Sequence, residues 1–193
     1  MTPELRKFIK SNGRMSPAAI DDFTGKFQRR PLKKNDMLLR PGEVCQELLF
    51  VQSGCLRMYY LAPDGLAVSL WFALPGYLTS ELTSFLSGQP ADYAVEAIAD
   101  SEVLYLPKET LYELYDVYPT LSDMMRNIWE YVILNVIRRF TSLQQDSAEQ
   151  RYRDLMRRQP DYLQLIPQKY LASFLGVTPS SLSRIRRKLA AEH

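Results

Sequence analysis

The sequence predicts an α+β protein with an N-terminal antiparallel β-barrel, one long helix and a C-terminal helix-turn-helix. Three observations predict it. Short β-rich runs separated by turn pairs fill the stretch from about Gln28 to Pro107. Some 27 residues following Pro119 hold a dense apolar pattern with no Gly or Pro. Near the end, Gly176 followed by Val177, Thr178 and Pro179 interrupts a helical apolar spacing and restarts it.

In chain order, two helical patterns come first, Pro3 to Lys10 and Ser16 to Lys26, the second with Ser16 as N-cap and Pro17 at the first helical position. The apolar period then changes from helical to short runs: Met37 to Leu39, Glu47 to Gln52, Leu56 to Leu61, Ala67 to Phe72, Tyr93 to Ile98 and Val103 to Leu106. Pro41-Gly42, Ser53-Gly54, Asp64-Gly65, Pro75-Gly76 and Ser87-Gly88-Gln89-Pro90 separate them, and short strands at such spacing make an antiparallel barrel or sandwich. A short helix, Lys108 to Asp116, precedes Pro119.

The long helix carries two apolar stripes. Trp129, Ile133, Val136, Phe140 and Leu143 recur in steps of four and three, while Leu121, Met125, Ile128 and Val132 form an adjoining line. Two stripes require two partners, and the reading adopted is the barrel for one and the same helix of a second subunit for the other; the plainer alternative is one broad core face in a monomer. The domains are therefore 1–118, a sensor-like β-domain, 119–145, a dimerising helix, and 146–193, the helix-turn-helix.

Composition narrows the chemistry. The chain has 193 residues, 46% hydrophobic and 24% charged, and a net charge of +2, which suits a globular core and excludes disulfide-built, collagen-like and disordered classes. Its two cysteines, Cys45 and Cys55, and one histidine, His193, are too few for a Cys/His zinc site or a cysteine-held iron–sulfur cluster. Both cysteines read as small apolar residues in a reduced compartment. No apolar run approaches the roughly 20 residues of a membrane span, and the N-terminus leads into no apolar signal core, so a cytoplasmic location is expected. No nucleophile–base pair or phosphate-cradling glycine loop points to an enzyme.

Charge is distributed unevenly. From Ser147 to the end there are nine Lys/Arg against four acids, a net of +5, whereas the other 146 residues carry 15 bases and 18 acids, a net of −3. A basic tail on an acidic body points to a polyanion met by the tail alone.

That tail holds the most specific pattern in the chain. Leu171 and Leu175 give an apolar face, Ala172 is small where a second helix must cross, and Gly176 suits the left-handed residue that ends a helix. Val177 plugs the turn, Thr178 caps a helix beginning at Pro179, and Leu182, Ile185 and Leu189 form its buried line. The spacing is that of a helix-turn-helix, whose second helix enters the DNA major groove. Its exposed face and cap offer Thr178, Ser180, Ser181, Ser183, Arg184, Arg187 and Lys188: short hydroxyls for close approach, Arg184 for a base edge, Arg187 or Lys188 for phosphate. A basic solvated helix in a small bundle is the alternative.

Pro41-Gly42-Glu43, Leu49 to Arg57, Asp64-Gly65, and Pro75-Gly76 with Glu81 five residues on resemble the cyclic-nucleotide-binding domain. Joined by a long helix to a helix-turn-helix, nearly all of the chain resembles the catabolite activator protein and FNR (Crp/Fnr) family of bacterial transcription regulators. The resemblance implies a jelly-roll arrangement of the barrel, a homodimer, an inverted-repeat operator in double-stranded DNA and RNA polymerase as a further partner. It also implies a ligand pocket at Ser80, Glu81, Leu82, Ala91, Asp92 and Asn135. In relatives that bind cyclic AMP, a Gly-Glu pair and an Arg-Ser pair hold the ribose and phosphate; here the matching pairs are Ser80-Glu81 and Ala91-Asp92. The glutamate is kept and the arginine is lost.

No Lys or Arg occurs between Arg57 and Lys108, and burying a phosphate beside a carboxylate without a cation costs several kcal/mol. Cyclic AMP and cyclic GMP are therefore not expected to bind, and no cofactor is implied. Two possibilities stay open: a vestigial pocket with a dimer always competent for DNA, or a pocket for a neutral or cationic effector. Asn135 either reads a ligand or fixes helix register, the latter being preferred, and Arg57 is expected on an exposed strand. Relatives commonly add a β-hairpin wing after the second helix; only four residues follow Leu189, so no wing is expected, whereas a small hairpin around Tyr162 to Ile166 is. A different function class, an interaction module regulating a partner protein through its terminal helices, would leave the chain without a preferred DNA sequence.

Overall fold

The computed structural model describes residues 3–191; Met1, Thr2, Glu192 and His193, and with them the single histidine and the last residues after the expected recognition helix, lie outside the described residues. The chain forms two compact units. The first comprises the chain through Met58 together with Phe72–Val132, and the second comprises Tyr59–Trp71 together with the chain from Ile133 onward. The division falls inside the long helix and assigns a strand hairpin to the second unit, where the sequence reading set 119–145 apart as a segment of its own.

The first unit opens with α1 (Pro3–Asn12) and α2 (Pro17–Gly25). Ser16 caps α2, its hydroxyl accepting from the Ala19 amide at 3.2 Å. Eight strands follow: β1 (Gln28–Leu32), β2 (Met37–Leu39), β3 (Glu47–Ser53), β4 (Leu56–Leu61), β5 (Ala67–Ala73), β6 (Leu78–Thr79), β7 (Ala94–Ala97) and β8 (Ser101–Pro107). They form two four-stranded sheets, β1-β8-β3-β6 and β2-β7-β4-β5. This strand order is that of a double-sheet jelly roll, and the sheets stay separate: the closed barrel expected from the turn spacing is not formed. The spacing of turns fixes strand lengths but not closure, which also requires a consistent shear around the ring. The strands β1 and β6 were not singled out from the sequence, since Pro31 sits inside the former and the latter has only two residues.

Register separates the two faces of the first sheet. Phe50 pairs with Leu104 and Leu48 with Leu106, placing these four side chains on one face; the Phe8 ring of α1 meets Phe50 edge-on at 5.8 Å. Helices therefore cover that face, and α4 (Lys108–Val117) and the first half of α5 (Pro119–Gln145) add the buried Leu111, Leu121, Met124 and Met125 to the same core. The opposite face presents Leu49, Val51 and Val103, in one apolar core with Leu39, Leu56, Val95 and Ala97 of the second sheet. The corner at Gly54 has φ +85°, and a Cβ there would stand 2.6 Å from the Asp100 carbonyl, so only glycine fits the approach of the two chains.

Arg57 departs from expectation. It is buried at 3% exposure, not displayed on an open strand, and its Nη1 donates to Glu96 Oε1 at 2.9 Å. A guanidinium can leave water only with such a partner, and removal of either member would leave an uncompensated buried charge.

The second unit contains the turn of the β4–β5 hairpin, the second half of α5, and four further helices: α6 (Ala148–Arg158), α7 (Pro160–Leu165), α8 (Gln168–Phe174) and α9 (Pro179–Ala190). A capping box starts α6, Ser147 accepting from the Gln150 amide and the Gln150 side chain accepting from the Ser147 amide. The region around Tyr162 is a helix, not the expected hairpin. Tyr162 and Ile166, four apart, are both buried while Leu165 is exposed, which is helical periodicity, and Pro160 presets the first turn.

Arg139 of α5 organises this unit. Its Nη1 donates to the Leu70 carbonyl of β5, and its Nη2 to the carbonyls of Phe174 at 2.8 Å and Ser69 at 3.3 Å. The guanidinium lies 3.9 Å over the Phe174 ring. Ser173 of α8 adds two bonds to the hairpin, accepting from the Ser69 amide at 2.9 Å and donating to the Ala67 carbonyl at 3.2 Å. Burial pushes the Arg139 pKa down to about 10, so it remains charged at neutral pH. Among the described residues no helix is long and apolar enough to cross a membrane.

Arg139→Met would keep the stem and leave three carbonyls short of a donor, at roughly 2–4 kcal/mol of stability by the usual cost of unsatisfied buried groups. Arg139→Lys would recover only part of this, because an ammonium lacks the planar fork. Urea denaturation, with hydrogen exchange followed at Ser69 and Ser173, checks both; wild-type stability in Arg139→Met would refute the role.

Candidate nucleic-acid interface and candidate ligand pocket

In the second unit, α8 ends where the sequence indicated. Gly176 has φ +67°, Gly176 N–H donates to the Ser173 carbonyl at 3.1 Å and Val177 N–H to the Ala172 carbonyl at 3.0 Å. Arg151 of α6 secures the turn from outside: Nε donates to the Leu175 carbonyl at 2.9 Å and Nη1 to the Asp146 carbonyl at 2.5 Å. Thr178 then caps α9, its hydroxyl accepting from the Ser181 amide at 3.2 Å. Leu171, Ala172, Leu175, Leu182 and Leu189 are buried and Val177 and Ile185 half-buried, so α9 packs with its apolar line inward and its other face outward.

The outward face carries the expected residues. Thr178, Ser180, Arg184, Arg187 and Lys188 are exposed; Ser181 and Ser183 are half-buried. They do not act independently. The Thr178 hydroxyl lies 3.0 Å from those of Ser180 and Ser181, and Arg184 Nη2 donates to Ser181 Oγ at 3.2 Å, which holds the guanidinium along the helix. Lys188 is engaged: its Nζ sits 2.6 Å from Glu149 Oε2 of α6. That hydrogen bond, seconded by one from Arg153, holds the Glu149 carboxyl below the usual carboxylate range. A phosphate at Lys188 must compete with a carboxylate already in place. Arg186 and Arg187 have exposed guanidinium groups, and Arg186 was not singled out because it falls four residues after the buried Leu182.

Gln168, the first residue of α8, was also not singled out as a site residue. Its Nε2 donates to Ser183 Oγ at 2.5 Å and to the Pro179 carbonyl at 3.2 Å, across to α9. Fifteen residues separate Gln168 from Ser183, and no periodicity links them; only the crossing of the two helices does.

The candidate pocket lies in the first unit, apart from Asn135. Glu81, 2% exposed, is the N-cap of α3 (Leu82–Ser87), its carboxylate accepting from the amides of Ser84 at 2.7 Å and Thr83 at 3.3 Å. The sequence signal for this was present, an acid directly before a short helical run. Ser80 Oγ donates to the Glu47 carbonyl at 3.0 Å and lies 3.3 Å from Cys45 Sγ. Ser84 Oγ accepts from the Cys45 amide and donates to the Gln89 carbonyl. Leu82 is half-buried. Ala91 is buried beneath the Pro41-Gly42-Glu43 turn, its N–H donating to the Glu43 carbonyl and its carbonyl accepting from Gly42 N–H, both at 2.8 Å. Asp92 is exposed.

The structure thus brings Ser80, Glu81 and Leu82 together at one helix start, where their polar groups are satisfied by the chain itself. Asn135 belongs to the other unit; it is half-buried on α5, and its Oδ1 accepts from Arg138 Nη1 at 3.3 Å. Both cysteines are free and buried, and burial pushes the Cys55 thiol up to about 12, which keeps it a protonated thiol. Among the described residues no three His, Cys, Asp or Glu side chains are grouped to hold a metal ion.

Residues 29–118 match the family described as the cyclic nucleotide-binding domain. The transcriptional activator protein FnrA of Stutzerimonas stutzeri is 31% identical over 136 residues, 69% of this chain and 53% of that protein; the chain spans about half the length of this relative. Two solved structures share the fold. FixK2 from Bradyrhizobium japonicum superposes with a TM-score of 0.74 at 19% identity, covering 86% of this chain and 85% of that one. The catabolite activator protein of Thermus thermophilus superposes with a TM-score of 0.59 at 23% identity, covering 92% and 85%. With its double-sheet β-domain, long helix and C-terminal helix pair, the chain is similar to regulators of the Crp/Fnr family.

Proposed function

We propose that this chain is a sequence-specific DNA-binding transcription regulator of the Crp/Fnr type that works as a homodimer in the cytoplasm and does not respond to cyclic AMP or cyclic GMP. The observation that carries the reading is the outward face of α9. A capped helix packed on α8 displays short hydroxyls and the guanidinium groups of Arg184 and Arg187 while its Leu182 and Leu189 are buried. Such a helix is shaped and charged for the major groove, with hydroxyls for close approach and arginine for guanine O6 and N7.

The second half of α5 supports a dimer. Tyr131, Ile133, Leu134, Val136, Ile137, Phe140 and Leu143 are all exposed, Phe140 at 62%, whereas Leu121, Met124, Met125 and Ile128 of the first half are buried. An apolar helical stripe of this length left in water is a helix-pairing surface. Two-fold pairing would set two copies of α9 about 34 Å apart and match an inverted-repeat operator. RNA polymerase would be the further partner on such a promoter.

Exclusion of cyclic nucleotides follows from local charge. The stretch from Met58 to Pro107 has no Lys or Arg, Arg57 is held by Glu96, and Glu81 is committed to capping α3. A cyclic phosphate would be desolvated without a counter-charge.

Three measurements test these statements. Phe140→Glu places a charge in the pairing stripe and is expected to give a monomer in sedimentation at micromolar concentration and to abolish tight binding to an inverted repeat; a dimer of unchanged stability contradicts the pairing surface. Calorimetric titration with cyclic AMP and cyclic GMP is expected to show no micromolar binding, and a micromolar isotherm for either overturns the charge argument. Arg184→Ala is expected to cost about 1–3 kcal/mol on the selected operator and to relax one base position per half-site. Equal losses on every sequence would assign Arg184 to the phosphate backbone.

A further inference from the structure

We infer that Gln168 is a positioning residue that makes Ser183 an acceptor-only reader, so that each half-site carries a base with an exocyclic amine, adenine or cytosine, opposite Ser183. The inference rests on the proposed DNA-reading role of α9 and adds the chemistry of one contact.

A serine hydroxyl has one hydrogen to donate and two lone pairs to accept with. Ser183 Oγ donates its hydrogen to the Pro179 carbonyl at 3.0 Å, one turn back on α9, and accepts from Gln168 Nε2 at 2.5 Å. One lone pair is left. The amide of Gln168 has only one workable orientation, because the Pro179 carbonyl, 3.2 Å from Nε2, can accept but never donate. A flipped amide would set two oxygens against each other there. The two hydrogens of Nε2 are thereby directed to Pro179 and Ser183, and Oε1 faces away from both. At this point of α9 the protein offers acceptors and withholds donors.

Base edges in the major groove divide along the same line. Adenine N6 and cytosine N4 donate, whereas guanine O6 and N7 and thymine O4 accept. An acceptor-only Ser183 is attracted to the first pair and repelled by the second. Arg184, the next residue, carries only donors and selects the second kind. Neighbouring side chains thus impose opposite hydrogen-bond polarity, and Gln168 on the other helix sets that of Ser183. Without Gln168, the Ser183 hydroxyl is free to turn its hydrogen outward and accept either kind of edge.

The test starts from an operator selected from a random DNA library by the full-length wild-type protein. The amino-bearing base at each adenine or cytosine of the half-site is replaced in turn by an analogue lacking the amine, and affinity is followed by fluorescence anisotropy. At one position the wild type should lose about tenfold, the cost of one specific hydrogen bond. Gln168→Ala should keep a loss on amine removal, because Ser183 can still accept there, but in a repeated library selection it should accept guanine or thymine at that position, with the Arg184 position unchanged. Ser183→Ala should lose less than twofold on analogue substitution, and it removes a single hydroxyl from the outer face of α9, giving a second variant independent of Gln168. Continued rejection of guanine and thymine by Gln168→Ala, or a tenfold loss retained by Ser183→Ala, overturns the inference while leaving the DNA reading intact. Failure of the wild type to select any sequence overturns the DNA reading and this inference with it.

Discussion

One guanidinium joins three elements of the second unit. Arg139 donates to carbonyls on β5 and at the end of α8 while stacked on Phe174, so one side chain of the long helix fixes both a strand hairpin and the helix that supports α9. Among the described residues no carboxylate pairs with it; its hydrogen-bond partners are backbone carbonyls. Such an arrangement tolerates burial of the charge because several oxygens share its solvation, and it tolerates no shift of any of the three elements, because the fork is planar and its reach fixed. The reciprocal bonds of Ser173 with Ser69 and Ala67 add to the same attachment. The pose of α9 within this unit is inherited from these contacts through α8 and the turn at Gly176.

Much of this architecture was legible in the sequence, and the reason is local. Gly176, Thr178 and Pro179 each fix a backbone conformation within a few residues, so the boundary between α8 and α9 could be placed from spacing alone. The same holds for Ser16 and Pro17 at α2 and for the long helix, which lacks any breaker from Thr120 to Gln145. What could not be read is what depends on contacts remote in the chain. Arg139 and Leu70 are 69 residues apart, Gln168 and Ser183 meet only because two helices cross, and Arg57 is buried because Glu96 lies beside it. Closure of the β-domain is of the same kind. Turn pairs mark strand ends, but whether two sheets join into one ring is decided by register among strands far apart in sequence. The helix around Tyr162 shows the opposite difficulty, since over five residues an apolar run fits a strand as readily as a helical turn, and burial of Tyr162 with Ile166 decided the matter.

The polar groups of Ser80 and Glu81 in the candidate pocket are engaged by the chain itself. Glu81 satisfies two amides at the start of α3. Ser80 and Ser84 tie that helix to β3 and to the segment before it through Glu47 and Cys45. A carboxylate used as a cap stabilises the positive end of a helix, and an anionic ligand at the same place would have to displace it or face it. On the proposed reading, the absence of a basic side chain at Ala91 and the local use of Glu81 describe a β-domain without a phosphate to bind.

The ion pair between Lys188 and Glu149 has a thermodynamic corollary for any polyanion approaching α9. A lysine free in solution reaches nucleic acid by displacing condensed counterions, and each such displacement steepens the dependence of affinity on ionic strength. Lys188 already has a resident anion on α6, so engagement with a phosphate exchanges one oxyanion for another and strands a carboxylate near the duplex. The salt sensitivity of the proposed DNA complex is then shallower than the number of cations on α9 suggests.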